Sequence, residues 1–384
     1  METDKSEIKE ENISANVVED GVRKIAEEEY GLIATKIKRV DGYDDLNFYL
    51  SPPLTINNNF HESQLWPHGF MLKIVNSRDS KNEKFFIEYI KVLLHLNEEK
   101  IPCPCPIPKK DGKYFGYWTD DTLEPKTELS KNCEPRKHIF ILLTFLQGEI
   151  LERFKYNQRV DVSLGLLLSQ LHSKLKPFST AEGLHRPDFT WALHSAPNIV
   201  ENFLHVIPDK DKKSLILGAI NEFKTVVIPN LGTIDRGAIH GDLNLGNVLV
   251  ERKTSDTEDV DIVAIIDFTD MHISYFIFDL ALTACYISLH DVDNYEDRIA
   301  SLLCGYEKEL SDLELQLLKI CICTRLCQSI TIGMHTLTID PNNEYVRNGE
   351  SLKYGWKLLQ RLFQTSHTEF NKVMRSKVEH LKRK

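Results

Sequence analysis

The apolar positions of this chain change period near its middle. Over 16–30 they recur at helical spacing, with Val17, Val18, Val22, Ile25 and Ala26 on one side. Residues 33–37 alternate and predict a strand, which runs through a turn containing Gly42 into a second strand ending at Leu50. Residues 52–69 read as an irregular insertion, and 70–75 as an apolar strand carrying Lys73 at its middle. A helix is predicted over 83–96. Alternating prolines at 102, 104 and 106 then force an extended segment. Residues 111–133 form a polar connection, and 138–146 another buried strand ending in Gln147-Gly148. Beyond that point helical spacing takes over, at 160–175, within 197–223, at 275–289, as two helices within 299–335, and at 350–370. Two short β-branched runs interrupt it. Val248-Leu249-Val250 and 262–266 read as strands, joined across the acidic segment 251–261 as a hairpin.

Composition narrows the class. At 384 residues, 42% hydrophobic and 27% charged, the chain has the make-up of a globular enzyme. A net charge of −10 disfavours nucleic acid or an anionic membrane as the main partner. The first 15 residues are polar and acidic, without the apolar core of a signal peptide, and are expected to be flexible. The eight cysteines suit reduced thiols in a cytoplasmic protein better than a disulfide framework. Cys103-x-Cys105 lacks a second ligand pair, and Cys321, Cys323 and Cys327 point apart on a helix, so neither set reads as a metal site. The apolar stretch 273–289 holds Asp279 and reads as a buried helix, not a membrane span. No protein partner is inferable.

The hairpin carries the chemistry. His240-Gly241-Asp242 precedes it, Asn247 follows Asp242 by five residues, and Asp267-Phe268-Thr269-Asp270 closes it. A hairpin can bring Asp242, Asn247 and Asp267 to one edge. Phosphoryl transfer needs Mg²⁺, a hard cation that takes oxygen ligands, and a separate carboxylate for the attacking hydroxyl's proton. One carboxylate, one amide and a second carboxylate meet that demand, in the order of the kinase motifs H-x-D-x-x-x-x-N and D-F-G. Lys73 is costly in a buried strand unless paired. Glu88 on the following helix is its expected partner, with Glu83 the weaker alternative.

The spelling HGDLNLGN, with Gly where protein kinases have Arg, and DFTD in place of DFG, resembles the aminoglycoside phosphotransferase and choline kinase superfamily. The resemblance implies an α+β, protein-kinase-like two-lobed fold: an N-terminal lobe over 16–148 with a small antiparallel sheet, and a mainly helical catalytic and substrate-binding lobe over 149–384. It implies Asp242 as catalytic base, Asn247 and Asp267 as Mg²⁺ ligands, and His240 as a neighbour that steadies the loop. Lys73, Glu88 and Asn47 fall to the nucleotide, as do the backbone groups of Thr144 and Leu146 at the hinge. His172 is expected in the core, and Asp279 as a brace for the catalytic loop.

Further stretches narrow the resemblance to the hydroxylysine kinases, a eukaryotic group within that superfamily that uses GTP. They include 43–48 (YDDLNF), Leu72-Lys73-Ile74 with Ser80-Lys81-Asn82, and Leu184-His185-Arg186 with Phe189 and Trp191. Arg325-x-Cys327-Gln328-Ser329 and Gly355-Trp356 complete the set. The implied donor is GTP (or ATP), and the implied acceptor the side-chain hydroxyl of 5-hydroxy-L-lysine. Asp270 is a candidate for its ammonium groups, and Arg325 or Arg186 for its carboxylate. The alternatives are a sibling kinase of choline, ethanolamine, homoserine or methylthioribose, and a nucleotide-binding pseudokinase scaffold. A protein kinase is disfavoured because no A-P-E-type segment follows Asp270.

Overall fold

Alternation along three neighbouring strands builds the N-terminal sheet. In the computed structural model, which describes residues 14–40, 45–56, 66–120, 135–155, 157–254 and 259–383, the chain divides into two compact units, Met1–Gln147 and Gly148–Lys384. The expectations about residues 1–13 and about most of the polar stretches 41–44, 57–65 and 121–134 lie outside the described residues.

In the first unit, α1 (Glu19–Tyr30) is followed by β1 (Leu32–Ala34), β2 (Ile37–Val40), β3 (Leu46–Leu50), β4 (Pro53–Ile56) and β5 (Phe70–Ile74). Then come α2 (Glu83–Glu98), β6 (Phe115–Thr119) and β7 (Lys137–Thr144). The antiparallel sheet has the order β2-β3-β5-β7-β6, and β1 pairs separately with β4. Leu46, Phe48 and Leu50 on β3, Phe70, Leu72 and Ile74 on β5, and Phe140 and Leu142 on β7 share one face and bury it against Val22, Ile25, Ala26 and Tyr30 of α1. Truncating one such core side chain to Ala costs about 2–5 kcal/mol. Two expectations change here. The strand predicted over 33–37 is broken, because the chain leaves β1 at Thr35 and enters the main sheet at Ile37. The insertion 52–69 is not wholly irregular, since Pro53–Ile56 pairs with β1.

The second unit runs β8 (Glu149–Ile150), α3 (Gln158–Leu175), α4 (Ala196–Phe203), α5 (Lys210–Glu222), the single turn α6 (Ile228–Asn230), β9 (Arg236–Ile239), β10 (Val248–Arg252), β11 (Val260–Ile265) and β12 (His272–Tyr275). Six helices follow: α7 (Phe276–His290), α8 (Tyr295–Gly305), α9 (Asp312–Ile339), α10 (Glu344–Asn348), α11 (Glu350–Gln364) and α12 (His367–Lys382). The predicted final helix over 350–370 is two helices, because Ser366 caps a new one, its side chain accepting from Glu369 N. Helix α12 takes in the basic residues up to Lys382. Helices α3 and α8 cross closely because Gly165 and Gly305 have no Cβ; one at Gly165 would overlap the Leu302 carbonyl, and one at Gly305 that of Val162. The crossing is pinned by Asp161 and Arg298, buried and joined through two hydrogen bonds of 2.5 and 2.8 Å. The apolar helix α7 is buried almost throughout, as expected for 275–289. Helix α9 is long and apolar enough to cross a membrane by length and composition, yet 78% of its apolar window is buried inside the protein.

Candidate active site

Two antiparallel pairs frame the catalytic segment. Strand β9 pairs with β12, and β10 with β11, so the chain between β9 and β10 and the chain between β11 and β12 emerge side by side. Ile266 N donates to Asn247 O at 2.9 Å, which sets Asn247 beside the residue before Asp267. Asn247 Nδ2 donates to Asp242 O at 2.8 Å and to Asp242 Oδ2 at 3.0 Å, and Asn244 Nδ2 donates to the same Oδ2 at 2.9 Å. The three residues that the spacing singled out therefore meet at one edge of the hairpin. Asn244, which the sequence shows only as part of HGDLNLGN, lies between Asp242 and Asn247 and fixes the carboxylate.

The loop is held from behind by Asp279 on α7. Its Oδ2 accepts from His240 N and its Oδ1 from Gly241 N, each at 3.0 Å, and His172 Nε2 lies 3.1 Å from Oδ2. His172 also contacts the Tyr306 hydroxyl at 2.9 Å, so it is a core histidine. Burial alone would push the Asp279 carboxyl up, but His172's hydrogen bond and nearby charge hold it below the ordinary range. His240 Nδ1 accepts from Asp242 N at 3.2 Å, which leaves Nε2–H to donate to Ile266 O at 3.2 Å. Burial pushes this imidazole below its ordinary value. It thus ties the loop to the end of β11, and its ring packs on Phe268 with centroids 4.5 Å apart. Gly241 has φ +81°, and a Cβ there would overlap the Asp270 carbonyl oxygen, so a side chain is excluded where protein kinases carry Arg.

Electrostatics separate the carboxylates. Asp242 is pushed above the ordinary carboxylate range by burial and by Asp267, against the pull of Arg325, Asn244 and Asn247. Asp270 is pushed up by burial and by its neighbours Asp242 and Asp267. Asp267 is exposed, in left-handed backbone at φ 60°, with Oδ1 accepting from the Thr269 hydroxyl at 2.5 Å. Asn247 turns its amide nitrogen to Asp242, which leaves the amide oxygen for another partner. One exposed carboxylate and one amide oxygen fit a hard cation completed by phosphate and water. No group of three or more His, Cys, Asp or Glu suited to a metal occurs among the described residues, and the seven described cysteines are free.

Arg325 lies buried on α9. Its Nη1 donates to Trp191 O at 2.8 Å and to Gln328 Oε1 at 3.1 Å, and its Nη2 stands 3.8 Å from Asp242 Oδ1. Gln328 Nε2 donates to Thr190 O at 2.8 Å and to Ala192 O at 3.2 Å. The R-x-C-Q stretch thus pins the Thr190–Ala192 segment and directs a cation at Asp242. Arg186 does not present itself as a substrate ligand: it donates to Thr269 O at 2.8 Å and Met271 O at 3.4 Å, and stacks on Phe189. It braces the turn after Asp267.

In the first unit, Lys73 is opposite Asn47 in the β3–β5 register, so both lie on the sheet face away from α1. Its partner is not Glu88. Lys73 Nζ lies 3.0 Å from Asp45 Oδ2, while Glu88 accepts from Lys91, one turn along α2, at 2.8 Å. Glu83, the weaker alternative, accepts from the Tyr117 hydroxyl at 2.7 Å. Asp45 precedes Asn47 by two residues, which puts it on Lys73's face; that period was the available signal. Ser80 and Asn82, also in the matching stretches, are structural: Ser80 Oγ links Val75 O to Ile139 N, and Asn82 caps α2. At the end of β7, Thr144 gives its N–H to Cys105 O at 2.9 Å and so does not offer it to a nucleotide base. Phe145 engages Gly69 O through its N–H and the Trp66 indole through its carbonyl, and Leu146 follows half-buried.

Comparison with known proteins fits this geometry. The chain is 27% identical over 366 residues to a hydroxylysine kinase of Xenopus laevis, covering 92% of each chain. It is 26% identical over 346 residues to that of Bos taurus, covering 88% of this chain and 87% of the relative. Its fold is similar to that of amicoumacin kinase hAmiN in complex with AMP-PNP, Ca²⁺ and Ami, with TM-score 0.63, 14% identity and coverage of 92% and 97%. A microcompartment-associated aminopropanol kinase gives TM-score 0.63 at 15% identity, covering 89% and 95%. The GDP complex of an aminoglycoside 2'-phosphotransferase gives TM-score 0.51 at 15% identity, covering 86% and 91%. A model of the APH phosphotransferase enzyme family matches residues 60–310, and the chain belongs to that family.

Proposed function

We propose that the protein is a small-molecule kinase that transfers the γ-phosphoryl group of GTP to the side-chain hydroxyl of 5-hydroxy-L-lysine, giving 5-phosphooxy-L-lysine. The observation that carries this reading is the Asp242–Asn247–Asp267 edge, in a chain that matches hydroxylysine kinases over nearly its full length. Asp242 accepts the proton of the acceptor hydroxyl as its oxygen attacks the γ-phosphorus and the bond to the β-phosphate oxygen breaks. Its raised affinity for a proton suits a base working near neutral pH. Asn244 and Asn247 aim the carboxylate, and Arg325 favours its ionised form against the pull of burial. Asn247 and Asp267 would hold Mg²⁺, which when bound offsets charge on the phosphate oxygens. Lys73 binds phosphate oxygens, and Asn47, opposite it in the strand register, contacts the nucleotide. Leu146 offers backbone groups to the base.

The acceptor's ammonium groups call for anions, and Asp270, poised above the ordinary carboxylate range until a cation arrives, supplies one. Arg325 is the candidate for the acceptor's carboxylate. The test is a panel of 5-hydroxylysine, choline, ethanolamine, homoserine and methylthioribose, each with GTP and with ATP, read by phosphorus NMR of the product. Transfer to 5-hydroxylysine with GTP preferred supports the reading. Preference for another acceptor moves the substrate but keeps the reaction. Absence of metal-dependent transfer to every acceptor leaves a nucleotide-binding scaffold.

A further inference from the structure

The YDDLNF stretch matched a family pattern without an evident chemical task, and Glu88, the expected lysine partner, is engaged elsewhere. We propose that Asp45, not a carboxylate of α2, is the positioning residue for Lys73, so that the phosphate-binding lysine is aligned by a strand-and-loop clamp independent of helix α2. The proposal rests on the reading of Lys73 given above.

The geometry starts from strand period. Lys73 faces Asn47 across β3 and β5, and Asp45, two residues before Asn47, reaches the same face as its diagonal neighbour. The ion pair is nearly closed to solvent, with Lys73 10% and Asp45 13% exposed at the side chain. Each oxygen of Asp45 has a task. Oδ2 lies 3.0 Å from Lys73 Nζ, while Oδ1 accepts from Asn76 N at 2.9 Å and Asn76 Nδ2 at 3.0 Å. Asn76, itself buried, is locked in turn, since its Nδ2 donates to Asp79 Oδ2 at 2.8 Å and its Oδ1 accepts from Asp79 N at 2.9 Å. The chain Asp79–Asn76–Asp45–Lys73 therefore runs from the 3-10 turn after β5 back to the start of β3 without passing through α2.

A carboxylate whose second oxygen is fixed by two donors cannot swing away with a helix, so it holds the ammonium group of Lys73 in a fixed direction. Where a kinase pairs its lysine with a helix glutamate, movement of that helix makes and breaks the pair. Here Glu88 binds Lys91 on its own helix, so displacement of α2 leaves the lysine aligned.

The experiment compares D45N, E88Q and K73M in the full chain. GTP affinity is read by titration with Mg²⁺, and stability by a thermal-unfolding cycle of D45N, K73M and the double variant without ligand. D45N should weaken GTP binding by about tenfold or more, as expected when one member of a closed charge pair is removed, and E88Q by far less. The unfolding cycle should show coupling, with D45N costing much less stability in the K73M background than in the parent. Three results overturn the proposal: tighter GTP binding in D45N, which would make Asp45 a competitor of phosphate; an effect of E88Q equal to that of D45N; or additive losses in the cycle. Because the cycle needs neither nucleotide nor acceptor, it decides the pairing even if the acceptor panel defeats the kinase reading.

Discussion

The two units anchor their key charges in different ways. Lys73 is steadied by a short local circuit, with Asp45 two residues from its cross-strand neighbour and Asn76 three residues further along its own chain. Asp242 is steadied by residues far away in sequence: Asp279 through the loop backbone, Arg325 from α9, and His172 on α3 behind Asp279. The lysine's circuit is built from strand register. The base's circuit depends on helices packed correctly around a loop, so damage to that packing reaches the base through backbone hydrogen bonds.

Several outcomes would sharpen or break this contrast. The largest is expected for Asp242→Asn, which should lower kcat by ~10²–10⁴-fold, as removal of a general base does, while GTP affinity in a binding titration stays near the parent's. Next is Asp279→Ala, which strips a buried acceptor from His240 N, Gly241 N and His172. Unpaired buried donors cost about 1–3 kcal/mol each, so chemical denaturation should show a loss of several kcal/mol along with reduced turnover. The sign of its pH dependence follows. The Asp279 carboxyl is held below its unfolded value, so its contribution is present above the ordinary carboxylate range and lost as pH falls through the depressed value. Asp45→Asn, by contrast, should act mainly on nucleotide affinity.

A smaller effect is expected of Gly241→Ala, which forces left-handed backbone and an overlap with the Asp270 carbonyl. Backbone strain of this kind costs about 1–3 kcal/mol, and turnover should fall more than GTP affinity, since the residue sits in the base's loop. Smallest is Gln328→Ala, which frees Thr190 O and Ala192 O. It should raise the acceptor KM severalfold and leave the GTP KM unchanged. An equal effect on both would separate Arg325 and Gln328 from acceptor binding.

Legibility in the sequence follows the same division. The hairpin and its three polar residues could be read because the chemistry fixes their types and a β-hairpin fixes their spacing within 30-odd residues of chain. Asp279 and His172 could be named from the resemblance, but their mutual contact spans 107 positions and no local period announces it. Lys73 was visible as a charge in an apolar strand. A helix glutamate is the usual partner of such a lysine, whereas here the i, i+2 relation of Asp45 to Asn47 is the better guide. The charge of Arg186 suggests a substrate ligand, whereas its donation to Thr269 O and Met271 O depends on a turn brought near by tertiary folding.

The most direct measurement is the pH dependence of kcat/KM for the acceptor, in the parent and in Asp242→Asn. Burial and the neighbouring Asp267 hold Asp242 above the ordinary value of about 3.9, so parent activity should fall on the acid side at a clearly higher pH. The residual activity of Asp242→Asn should lack that limb. The same acid limb in both proteins, or turnover by the variant at the parent rate, would contradict the assignment of Asp242 as the base.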